Sequence, residues 1–145
     1  MPFTGVLALL DTPSDKAPSG ARGHRVIITK KAATDSLESL IGMGVCMALD
    51  SGGHDAARKN GVITEAEILG CEVQVSGYMW GMDCTSVVDR IKAAEEDFGM
   101  SYEMADAHVE DLRADIWKIT RCVFTGAAIV LKSKAAYRST EFVLL

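Results

Sequence analysis

"IWKITRCVFTGAAIVL", Ile116 to Leu131, is the stretch whose reading decides the fold. It is apolar and rich in β-branched residues, which favours a strand over a helix. It is longer than an ordinary strand, so a bend or division is expected near Gly126. Towards the C-terminus, "KSKAAYR" (Lys132–Arg138) suggests a short helix, and "TEFVLL" (Thr140–Leu145) a last strand or tail. Towards the N-terminus, "GMSYE" (Gly99–Glu103) opens what looks like another strand.

Before that strand, Thr85–Phe98 carries the clearest helical pattern, with Val87, Val88, Ile91, Ala94 and Phe98 on one stripe. Asp83 or Thr85 is expected to cap its start, and Gly99 to end it in a left-handed conformation. Two alternating runs precede it. Val62, Ala66 and Ile68 oppose Glu65 and Glu67, while Val73, Val75 and Met79 oppose Gln74 and Ser76. The intervening "LGC" invites a hairpin. Further strands are expected at Phe3–Leu10, His24–Thr29 and Met43–Asp50. A helix is expected over Lys30–Gly42, with Ala33, Leu37, Leu40 and Ile41 on one face. Asp11–Gly23 and Ser51–Gly61 read as polar, glycine-bearing loops. Many short strands with two inserted helices predict an α+β fold built on an antiparallel sheet or barrel. There is no regular βαβ alternation and no GxGxxG.

The chain has 145 residues, enough for a single domain spanning 1–145, and its 48% hydrophobic content is that of a folded protein. Net charge is -5, and the basic residues are scattered; the densest groups are Lys30–Lys31 and Lys132, Lys134 and Arg138. No basic stripe favours nucleic-acid binding. The apolar run near the N-terminus is too short to span a bilayer and lacks a basic leader, so a soluble intracellular protein without membrane association is expected. Cys46, Cys71, Cys84 and Cys122 show no close ligand spacing and read as reduced thiols. No metal or cofactor is expected.

The search for a general base is short, because the chain has only three histidines. His24 opens a strand and reads as a strand-edge side chain; His108 lies among acids and reads as solvated. His54 sits in "GGHDAARKNG", a loop just before a strand, where catalytic groups often stand. A hairpin and a helix separate it from Ser101, an arrangement that can bring the chain back. A serine hydroxyl is a poor nucleophile until a base takes its proton, and a neutral imidazole in hydrogen-bond reach does so. Trp80 and Trp117 read as core or groove residues. Asp89, Arg90, Lys92, Glu95, Glu96 and Asp97 read as the wet side of a helix.

The series "GHDAARKNGVITEAEI", "EVQVSGYMW", "VVDRIKAAEEDFGMSYEM" and "WKITRCVFTGAAIVL" to "AAY" resembles the prohead (capsid maturation) proteases of tailed bacteriophages. The resemblance covers roughly Met43 to Tyr137. It implies an assemblin-like fold, a small antiparallel β-barrel-like core flanked by helices. It also implies a serine endopeptidase with His54 as base and Ser101 as nucleophile. The implied substrates are phage scaffold and capsid segments, and the chain itself. The implied place is the procapsid, assembled in the host cytoplasm. Related assemblin-type enzymes can depend on dimerisation, so a homo-oligomer is one implied state. Family members usually carry residues beyond the protease core, so this chain is expected to represent a trimmed form.

Two departures from the family pattern stand out. Tyr102 and Glu103 follow the serine in place of a small residue and glycine. The acid usual on the late strand is replaced by Thr125 or Gly126 in "TGAAIV". For the third member of a triad, Glu103, Asp106, His108 or a backbone carbonyl remain open. "TGAA" (Thr125–Ala128) is a candidate source of oxyanion donors. The rival readings are a catalytically inactive assembly protein of the same fold, and a ligand-binding barrel of host origin.

Overall fold

The structure, a computed structural model, describes residues 1–48, 53–55, 57–82 and 84–145. Its strands are β1 (Pro2–Leu9), β2 (Arg25–Ile28), β3 (Gly44–Cys46), β4 (Lys59–Leu69), β5 (Glu72–Met79), β6 (Phe98–Val109), β7 (Ile116–Leu131) and β8 (Glu141–Leu144). Two short helices, α1 (Lys30–Ser36) and α2 (Thr85–Ala93), accompany them. The fold is mixed α+β and mostly sheet.

The stretch Ile116–Leu131 forms one unbroken strand, and its length organises the molecule. Along one edge β7 carries β2, paired at Ile116–Ile119, and then β3, paired at Ala127 and Ala128. Along the other edge runs β6, from Phe98↔Leu131 to Val109↔Ile119. The sheet continues from β3 through β4, β5 and β1 to β8. It curls into a half-barrel, so that Met100 of β6 packs against Gly5 of β1. Phe3, Leu7, Ile28, Leu40, Ile63, Met79, Met100, Phe124 and Ile129 fill the inside and are fully buried. Most pairings are antiparallel, as expected, but β7 runs parallel to both β2 and β3. Loops and helices feed those two short strands back onto β7 in its own direction.

The departures from expectation have local causes. The helix from Thr85 ends at Ala93, not Phe98. Arg90 and Lys92 suit the negative end of its dipole, whereas Glu95, Glu96 and Asp97 would oppose it. Phe98 is instead buried at the head of β6, and Gly99 lies within that strand and not at a left-handed helix end. Thr85 makes no cap bond, the cap position being Cys84; Asp83 lies outside the described residues. The helix from Lys30 is capped by the Thr29 hydroxyl, which accepts from the Ala32 N–H at 3.2 Å. It tightens into a 3-10 turn at Leu37–Leu40. Three residues per turn in place of 3.6 rotate the stripe, and Ile41 swings outward to 45% exposure.

The hairpin forms as expected, closed by the two residues Gly70 and Cys71. Val73, Val75 and Met79 face inward on β5. On β4 a bulge between Ile63 and Glu65 shifts the phase, so Ile63 is the buried large apolar side chain of its first half and Val62 is only half-buried. The strand expected over Met43–Asp50 is confined to Gly44–Cys46, because the Met47 N–H donates to the Asn60 side chain instead of a ladder. The end of that expected strand (49–50), and 51, 52 and 56 of the following loop, lie outside the described residues. The expected helix at Lys132–Arg138 is a single 3-10 turn, Lys132–Lys134. No helix among the described residues is long and apolar enough to cross a membrane.

Candidate active site

Strand alternation on β6 sets up the site. Phe98, Met100 and Tyr102 point into the core, which leaves Ser101 and Glu103 together on the opposite face. The aromatic after the serine is therefore an anchor: Tyr102 packs edge-on against Phe124, with ring centroids 6.2 Å apart.

The floor beneath Ser101 and Glu103 is made of small residues. Ser101 lies opposite Ala128, and Glu103 opposite Gly126. Ala128 joins Cys46, Val130 and Ala135 in a small second core on this side of β7. A Cβ at position 126 would stand 2.8 Å from Glu103 Oε2 and 3.1 Å from the Gly44 carbonyl oxygen. Gly126 thus leaves the space in which the Glu103 carboxylate lies. Gly44 does the same for Lys59, whose side chain crosses where a Cβ would be.

His54 comes from the loop ahead of β4. An Arg58 N–H to Asp55 carbonyl turn closes that loop at 3.0 Å, and the Asp55 N–H is fixed to Cys46 Sγ at 3.3 Å. The imidazole lies across Ser101 and Glu103. Its Nε2 is 2.9 Å from Ser101 Oγ, and its Nδ1 is 2.9 Å from Glu103 Oε1. An ionised carboxylate only accepts, so Nδ1–H donates to Glu103 and Nε2 is left to accept the Ser101 hydroxyl proton. Lys59 Nζ donates to the other carboxylate oxygen, Oε2, at 3.5 Å. The His54 and Glu103 side chains are 25% and 18% exposed, so the site is shielded yet open to solvent. Cys46 lies beneath, its Sγ 3.7 Å from Glu103 Oε1. Burial pushes the Cys46 thiol up; the Asp55 N–H offsets this in part, and the Glu103 charge adds to it.

Of the four options for a third group, the structure brings Glu103 to the imidazole. Asp106 is exposed at a bulge with φ 52°, and His108 is exposed further along β6. His24 is a strand-edge residue, stacked on Trp117 and donating from Nδ1 to the Asp115 carbonyl at 2.9 Å. Trp117 is half-buried, whereas Trp80 is 43% exposed and not a core residue. Asp55, next to His54 in sequence, turns towards Arg58. Of the "TGAA" segment, Ala127 and Ala128 are paired on both sides, with β3 and β6, and Gly126 is paired with Glu103, whereas Thr125 is passed over at the register shift between Glu103 and Met104. Lys59 carried no functional reading in the sequence; its signal was its place at the strand start five residues after His54. Two surface concavities, of about 320 and 580 Å³, lie away from these residues. One is over β1, β4 and β5, and the other is beside Ser36 and Cys122.

No protein-family model matches the chain, and no curated protein matches it.

Proposed function

We propose that the protein is a serine endopeptidase of prohead-protease type, with Ser101 as nucleophile, His54 as base and then acid, and Glu103 as the third member. The observation that carries this reading is one imidazole bridging a hydroxyl and a carboxylate at 2.9 Å on each side. As Ser101 Oγ attacks a peptide carbonyl, its proton passes to His54 Nε2. The imidazolium is stabilised through Nδ1–H by Glu103, which also fixes the tautomer. Nε2 then gives the proton to the leaving amine, and water repeats the sequence to release the acyl group.

The missing late-strand acid has a physical replacement. Thr125 or Gly126 stands where the family pattern puts an acid, and Glu103, the cross-strand partner of Gly126, fills the space that glycine leaves with a carboxylate. The acid has moved across one rung of the ladder. In this reading the curled sheet is the assemblin-like barrel. The substrates are scaffold and capsid segments of a tailed phage, cut inside the procapsid.

A fluorophosphonate probe should label the native protein and not Ser101→Ala. A co-expressed phage scaffold should be shortened by wild type and left whole by His54→Ala. A silent wild type in both assays would overturn the proposal in favour of an inactive assembly protein of the same fold.

A further inference from the structure

Cys46 is a nucleophilic group set against the triad that the proposed hydrolysis leaves idle. One ligand atom from each of Cys46, His54 and Glu103 lies within 4.8 Å of the other two. The sulfur–oxygen separation is 3.7 Å and the nitrogen–oxygen separation 2.9 Å. A tetrahedral zinc ion, bonded at about 2.3 Å to sulfur and about 2.0–2.1 Å to nitrogen and oxygen, sets such ligand pairs about 3.3–3.6 Å apart. The sulfur–oxygen pair is near that value already, and the nitrogen–oxygen pair needs to open by about half an ångström.

The surroundings suit the ion as well. The Asp55 N–H, donated to Cys46 Sγ at 3.3 Å, is the kind of outer hydrogen bond that supports a metal-bound thiolate. Lys59 engages Oε2 and leaves Oε1 to the metal. His54 lies on the solvent side, which gives an entry path and a fourth position for water. A donor set of thiolate, imidazole and carboxylate selects zinc over the oxygen-seeking magnesium and calcium.

We infer that Zn²⁺ binds Cys46, His54 and Glu103 and switches the site off. This rests on the protease reading for its consequence, though not for its geometry. On binding, the Cys46 thiol releases its proton to solvent, the Nδ1 proton is likewise lost to solvent while Nε2 takes one up, and the metal takes the Nδ1 lone pair so freed. The neutral ring then carries its proton on Nε2, which donates to Ser101 Oγ and no longer accepts from it. The base is lost without any oxidation or covalent change.

Cys46→Ser separates the roles, because serine keeps the contacts to Asp55 and Glu103 but is a poor zinc ligand. Cobalt titrated into the wild-type protein should produce an intense near-ultraviolet thiolate-to-metal band that Cys46→Ser lacks. Zinc should abolish fluorophosphonate labelling of wild type, a chelator should restore it, and Cys46→Ser should label and resist zinc at least about tenfold better. An unchanged cobalt band in Cys46→Ser, or equal zinc sensitivity, overturns the inference. If chelated wild-type protein does not label at all, the protease reading and the off-switch fall together. The cobalt band then decides the metal site alone.

Discussion

At the residue scale, the site is a chain of charge and hydrogen bonds: Lys59, Glu103, His54 and Ser101. Groups that act as a unit are not additive when removed. Glu103→Gln should slow labelling of Ser101 by about 10²–10⁴-fold, because an amide can hold the wrong tautomer. The double variant Glu103→Gln/His54→Ala should be no slower than His54→Ala, and labelling kinetics measure both. Full additivity would mean that Glu103 acts elsewhere. Tyr102 makes a different kind of prediction. Its hydroxyl is buried and has no hydrogen-bond partner among the described residues. Tyr102→Phe should therefore leave stability unchanged or raise it by up to about 1 kcal/mol in urea unfolding. A clear loss would reveal a partner for the hydroxyl.

At the element scale, β6 and β7 divide the work. β6 displays Ser101 and Glu103, and the small residues of β7 make room for them. Gly126→Ala tests that division. The new methyl would press on Glu103 Oε2 and push the carboxylate off His54, and activity should fall about tenfold or more with a folded protein by circular dichroism. Full activity would show that the carboxylate is not held there. Alternation made β5 readable, apolar β-branched content made the long β7 readable, and the order and spacing of the resembling motifs singled out His54 and Ser101. Glu103 was one option among four, because a sequence shows that two strand residues share a face but not what lies opposite. The rung Glu103↔Gly126 exists only once register is set. The end of α2 was legible in principle, since three acids after Lys92 oppose the helix dipole. The apolar stripe masked that signal, because Phe98 fits helical spacing yet is buried as a strand residue.

At the scale of the molecule, one long strand gathers three others and the sheet closes over a shared core. That core buries four groups that would ionise at high pH. Burial pushes up the thiols of Cys46 and Cys122 and the phenols of Tyr102 and Tyr137. Each holds its proton more tightly folded than unfolded. Their stabilising effect is complete below the ordinary values of 9.0 for thiols and 10.0 for phenols, and is lost as pH rises from there towards the raised values. Tm should hold steady from about pH 7 to 8.5 and then drop progressively towards about pH 11. A flat Tm across that range would contradict the burial of these groups. The α+β class was legible because strand patterns outnumber helical ones. The parallel placement of β2 and β3 was not, because it depends on long-range closure and not on local pattern. The central claim is that His54 activates Ser101, and the rate of phosphonylation mapped by mass spectrometry tests it most directly. The account predicts an adduct on Ser101 in the wild-type protein, forming at least about 10³-fold more slowly in His54→Ala. An adduct on another residue, or an equal rate without the imidazole, would contradict it.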